Sequence, residues 1–160
     1  MEKIAQAGGI FAVLAFIHFF SDFIFQSHNE AMKKHNHFWI RAKHCAIYTV
    51  CFIPILYCLN MPKAGMFISL NILFWSHFIE DTYIGVFLWA KHIRKPPEIQ
   101  KIYTHSSNLN PTENDLKNWE MAGFKEFVAT PLGKILMIAI DQIIHLSFLW
   151  PVVFIAMVRN

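Results

Sequence analysis

Four long apolar stretches limit what this chain can fold into. They run from about residue 4 to 25, 44 to 59, 66 to 90 and 133 to 158 of a 160-residue chain. A bilayer core about 30 Å thick is crossed by roughly 20 apolar residues of helix. Composition points the same way: 55% of residues are hydrophobic and 16% charged, against about 25% charged in globular proteins. This argues against a soluble enzyme. The expected fold is all-α, a four-transmembrane-helix bundle forming one integral membrane domain over residues 1–160. The first stretch is too long for a signal peptide, contains His18 and Asp22 and precedes no small-residue cleavage site, so it reads as a retained span. The second is short and must extend into its flanks, and Pro54 should kink it. Asn60 to Gly65 reads as a tight turn.

Orientation follows from the basic residues. Lys33, Lys34, Arg41 and Lys43 separate the first two spans, and Lys91, Arg94, Lys95, Lys101, Lys117 and Lys125 separate the last two. The positive-inside rule then places both loops in the cytoplasm and both termini outside. Within the loop from about residue 91 to 132, Asn110, Pro111 and Glu113 read as the start of a short amphipathic helix. Leu116 and Trp119 share its face, and Gly123 fits its stop. Trp39, Trp89 and Trp150 read as interfacial aromatics. The net charge of +3 comes without a basic run, so nucleic acid is not an expected partner; membrane lipids are. Cys45, Cys51 and Cys58 share one apolar stretch and read as small buried hydrophobes. His28, His35, His37, His92 and His105 fall in loops and read as surface residues.

Ionisable residues inside spans are costly and mark partners or function. The first span carries His18, Asp22 and Gln26, four apart and so on one helical face. The second opens with His44. The third carries His77, Glu80 and Asp81, and the fourth Asp141, Gln142 and His145. Counting back from Ala90 puts Asp81 roughly 13 Å deep, and counting on from Gly133 puts Asp141 roughly 12 Å deep. All these groups are therefore expected in the cytoplasmic half of the bundle.

Imidazoles and carboxylates in this number suit one or two divalent transition metals. Zinc is favoured, and iron or manganese would also fit. The expected ligands are His18, Asp22, His44, His77, Asp81, Asp141 and His145. Gln26 and Gln142 would orient ligands or substrate. Glu80, the extra carboxylate, is the expected general base. A single His–Asp pair would more often be a hydrogen-bonded clasp between helices; three pairs at one depth shift the balance toward metal.

These residues resemble a small prokaryotic multi-pass membrane family of unknown function. Its pattern matches His18, Asp22 and Gln26, then Lys33 or Lys34, then His44, then His77 and Asp81, then Asp141, Gln142 and His145. The chain departs from that pattern at Glu80, where the family has an apolar residue, and in the length of the last loop. The resemblance implies the site residues and a bacterial inner-membrane location, but no activity. By analogy with membrane-bound hydrolases, the expected function is metal-dependent hydrolysis of a lipid or lipid-linked phosphoester from the cytoplasmic leaflet. The alternatives are a metal-ion or proton transporter working as a homo-oligomer, and a non-catalytic membrane partner. Between the polar groups and the outer face the spans are almost wholly apolar, which disfavours a through-pathway.

Overall fold

The computed structural model describes residues 1–94 and 122–158, and every described regular element is helical. Two stretches are long and apolar enough to cross a membrane, Glu2–Ile24 and Pro131–Met157. The chain divides into two compact units, Met1–Thr82 with Ile143–Asn160, and Tyr83–Gln142.

The first unit begins with α1, Glu2–Ile24. Next comes α2, His28–Lys33, started by a capping box in which Ser27 and Glu30 satisfy each other's backbone N–H groups. Helix α3 covers Phe38–Cys58, six residues earlier than the apolar run suggested. Its 21 residues reach about 31 Å, so the short second stretch does borrow from its flank. Pro54 lies inside it. The helix stops where Asn60 turns left-handed at φ 52°. There Asn60 N–H donates to the Tyr57 carbonyl and Met61 N–H to that of Leu56, a Schellman ending with Met61 buried beside Leu56.

Helix α4, Lys63–Glu80, starts two residues before Gly65, so Gly65 belongs to the helix and not to the turn. A Cβ at Gly65 would meet Pro62, Met61 and Ile155 at 3.1–3.2 Å, so its bareness permits a close approach. The third apolar stretch does not continue to Ala90 as one helix. Asp81 caps α4, and Tyr83 sits at φ 62°, a left-handed break that a bulky residue adopts only under constraint. Asp81 is therefore at a helix end, and its depth cannot be counted back from Ala90.

The last stretch forms two helices, Pro131–Ser147 and Leu149–Met157, numbered α7 and α8 below. Pro151 has no N–H to offer the Ser147 carbonyl. At the break Phe148 N–H bonds the His145 carbonyl instead, three residues back. Within the first unit α3 packs on α1 and α4, and α8 packs on the same two helices. Leu14, Phe52, Leu56, Leu73, Val152 and Val153 fill the space among them.

The second unit holds α5, Ile84–Trp89, a π-helical turn Ala90–Arg94, α6 at residues 122–129 and the start of α7. Phe87 and Phe124 meet edge to face at 5.4 Å. Thr130 caps α7 by accepting from Gly133 N–H at 2.9 Å, with Pro131 in the first helical position. Gly133 lies under the Phe127 carbonyl, where a Cβ would clash. Gly123, expected to stop a helix, lies inside α6. Asn110, Pro111, Glu113, Leu116 and Trp119 fall outside the described residues, as does His105.

Candidate metal centre

Each ligand's place follows from helical periodicity. His18 and Asp22 stand one turn apart on α1, and His77 and Asp81 one turn apart at the end of α4. His44 comes from α3, two turns after its start. These side chains are buried, with His18 at 0%, Asp22 at 4%, His44 at 4%, His77 at 1% and Asp81 at 2% exposure.

Ligand atoms of Asp22, His44 and His77 converge, and Asp81 lies beside the two imidazoles. His44 Nε2 lies 3.0 Å from Asp22 Oδ1 and 3.0 Å from His77 Nε2. His77 Nε2 is 3.6 Å from Asp22 Oδ1 and 3.6 Å from Asp81 Oδ2, and His44 Nε2 is 3.8 Å from Asp81 Oδ2. A tetrahedral ion with bonds of about 2.0–2.2 Å separates its ligands by about 3.3–3.6 Å. The atoms of Asp22, His44 and His77 lie 3.0–3.6 Å apart, near that value, while Asp81 groups with His77 and Cys45. Asp81 Oδ2 is buried and has no hydrogen-bond partner, although it faces both imidazoles. A buried carboxylate oxygen left this way is costly in an apolar interior.

Two neighbours of the centre were not visible as such in the sequence. Cys45, read above as a small hydrophobe, is fully buried and forms a second ligand group with His77 and Asp81. Tyr48, one turn further along α3, stacks on the His77 ring at 3.9 Å and 11°. Its hydroxyl bonds His18 Nδ1 at 3.0 Å, and the His18 ring also lies 5.6 Å from that of His145 and 6.2 Å from that of His77.

Lys34 enters from the segment between α2 and α3. Its Nζ lies 2.8 Å from Asp81 Oδ1, 3.4 Å from Asp22 Oδ1 and 3.4 Å from His44 Nε2. Burial alone would pull this ammonium down, but Asp81 and then Asp22 outweigh it and hold the group above its ordinary value. The segment is held in place by Arg41, which donates to the carbonyls of Lys34 and His35 and lies over the Phe78 ring. His35 is half-buried and not an ordinary surface residue: its Nδ1–H donates to the Asp81 carbonyl at 2.7 Å. Burial pushes the His35 imidazole below its ordinary value, which suits a neutral ring with Nδ1 as donor.

Glu80 and His145 form a further pair, Nε2 to Oε2 3.3 Å, with both side chains buried. His145 Nε2 is also 4.0 Å from Asp81 Oδ1, and its ring meets His77 edge-on at 4.6 Å. Glu80 thus faces an imidazole. Gln26 is half-buried past the end of α1. Asp141 and Gln142 belong to the second unit, where Gln142 Nε2 donates to Asp141 Oδ2 at 3.3 Å. Within the first unit, then, the structure gathers His18, Asp22, His44, His77, Glu80, Asp81 and His145, and adds Lys34, Cys45 and Tyr48.

Among the described residues this is an all-helical protein with buried imidazole and carboxylate groups that could hold a metal ion. The family described as "Protein of unknown function (DUF3307)" matches residues 10–104, more than half of the chain, and the chain belongs to that family. The match spans His18, Asp22, Lys34, His44, His77, Glu80 and Asp81. Neither the curated proteins nor the solved structures contain a match.

Proposed function

We propose that this chain is an integral membrane protein whose centre of Asp22, His44, His77 and Asp81 binds one divalent transition metal, zinc by preference, and hydrolyses a lipid or lipid-linked phosphoester from the cytoplasmic leaflet. The observation that carries the reading is the convergence of buried Asp22, His44 and His77 ligand atoms at 3.0–3.6 Å, with Asp81 3.6–3.8 Å from both imidazoles. A bound ion would supply Lewis acidity and lower the pKa of a water molecule. Glu80, 3.3 Å from His145 Nε2, then serves as the general base.

The same reading makes α1, α3, α4 and the α7–α8 stretch four spans with both termini outside. Exposed Trp39 and Tyr57 stand 18 residues apart on α3, about 27 Å along its axis, close to the thickness of a bilayer core. The apolar packing of Leu14, Phe52, Leu56 and Leu73 next to the centre favours a closed site over an ion pathway.

Elemental analysis of the detergent-purified protein tests the metal. One transition-metal ion per chain is expected, falling at least tenfold in His77→Ala and in Asp22→Ala. Full occupancy in both variants sinks the reading, and the cluster is then a polar clasp between helices.

A further inference from the structure

Helix α3 places Cys45 directly after His44. Neighbouring helical residues point about 100° apart, so the two side chains reach His77 from different directions and enter different groups. Asp22, His44 and His77 form one, and Cys45, His77 and Asp81 the other. In the second group the ligand atoms all lie within 4.8 Å of one another, and Cys45 is 0%, His77 1% and Asp81 2% exposed. Cys45 is a free thiol.

The two groups differ in how well their atoms are already satisfied. Asp22 Oδ1 and His44 Nε2 bond each other at 3.0 Å. Asp81 divides its oxygens: Oδ1 holds the Lys34 ammonium at 2.8 Å, while Oδ2 is buried with no hydrogen-bond partner. A buried acceptor left in this way is costly. An ion beside the thiol removes that cost without breaking the Asp22–His44 bond or displacing Lys34. Ligation releases the thiol proton, and the buried charges still balance. With the imidazoles neutral, the thiolate, Asp22, Glu80 and Asp81 bring four negative charges; Lys34, Arg41 and a divalent ion bring four positive ones.

We propose that Cys45, His77 and Asp81 form a second metal position, one that takes a thiophilic divalent ion. A thiolate ligand selects such ions over the harder ones that carboxylates and water suit. A neutral imidazole has one ring nitrogen free to coordinate, so His77 serves one group at a time, and filling this position draws it away from Asp22 and His44. The position shares His77 and Asp81 with the metal-dependent reading above but uses neither Asp22 nor His44, so the two readings fail separately.

Cadmium is the probe, added to full-length protein in maltoside micelles with and without prior zinc. Elemental analysis counts both ions, and X-ray absorption at the cadmium edge counts sulfur neighbours. The expected result is one cadmium per chain with one sulfur neighbour, and one zinc lost for each cadmium gained. Replacing Cys51 and Cys58 together by serine leaves Cys45 as the sole thiol and should keep that sulfur, so the assignment does not depend on altering a buried residue. Cys45→Ser should lose the sulfur and bind cadmium about tenfold more weakly or worse, a loss that even an outer partner of a ligand can cause. Asp22→Ala should keep both cadmium and sulfur. Cadmium bound without a sulfur neighbour overturns the proposal, as does a sulfur that vanishes with Cys51 and Cys58 or with Asp22. A protein that takes cadmium at sulfur but no zinc sinks the hydrolase reading and leaves this position standing; one that binds zinc but no cadmium does the reverse.

Discussion

The first unit is built from one set of helices that solves two different problems along its length. Among Leu14, Phe52, Leu56, Leu73, Val152 and Val153 the contacts are apolar and interchangeable. Around Asp22, Lys34, His44, His77 and Asp81 the contacts are between particular charged and polar groups. Loss of volume is graded, because neighbours can relax into the gap. Loss of a charge partner is abrupt, because the group left behind keeps its desolvation cost. The apolar region should therefore tolerate substitution while the polar region should not, although both are equally buried.

The largest effect that can break this contrast is Asp81→Leu. It removes the nearest counter-charge of Lys34 and should destabilise the folded protein by about 3–5 kcal/mol, read as the midpoint of unfolding in a denaturing detergent series. Adding Lys34→Leu should recover most of that loss while metal binding stays absent. A single variant as stable as wild type would erase the distinction between the two regions.

Leu73→Ala probes the apolar region. The expected cost is about 2 kcal/mol, the low end for Leu-to-Ala changes, because on the membrane-spanning reading the released surface meets other hydrocarbon. Metal content should not change. A variant that keeps its stability yet loses metal would show that the two regions are mechanically coupled.

The smallest effect belongs to Glu30, which is polar but exposed. Lys43 and then the Ser27 backbone and hydroxyl hold its carboxyl at about 2, down from 4.5. A depressed carboxylate contributes its stabilisation above the unfolded value and loses it as pH falls through the folded one. Protection of α2 amides, relative to their intrinsic exchange at each pH, should therefore fall only as pH drops below about 4.5 toward 2, and Glu30→Ala should show that lower protection at neutral pH. Loss of protection already near pH 6 would point to a different group.

Much of this unit was legible in the sequence where spacing carries the signal. His18 with Asp22 and His77 with Asp81 declare a shared face through their four-residue interval. Cys45 and Tyr48 gave no such signal, since a thiol and an aromatic ring inside an apolar helix look like packing residues. His35 looked like a loop histidine because its partner is a backbone carbonyl, which no pattern of side chains reveals. Lys34 was visible through the family resemblance, and its role as counter-ion came from geometry. The break after Asp81 was hidden because the apolar run resumes at Tyr83 and continues to Trp89, so hydropathy smooths over a left-handed residue. Asp141 and Gln142 have the right spacing to His145 but belong to the second unit, since one continuous helix can serve two packing units.

The separation of twelve positions from Asp22 to Lys34 also bears on how the chain is made. On the membrane-spanning reading, α1 enters the bilayer first, carrying Asp22 near its end at a cost below that of a central charge, about 2.5–3.5 kcal/mol. His77 and Asp81 are synthesised more than fifty residues later and cannot help at that moment. Lys34 follows almost at once, on a segment short enough to fold back against the end of α1. The ammonium can thus escort the carboxylate through insertion and pass on to its later partners as they arrive. A nascent chain truncated after α3 should still integrate α1 stably, and the same truncation with Lys34→Gln should release it to carbonate extraction.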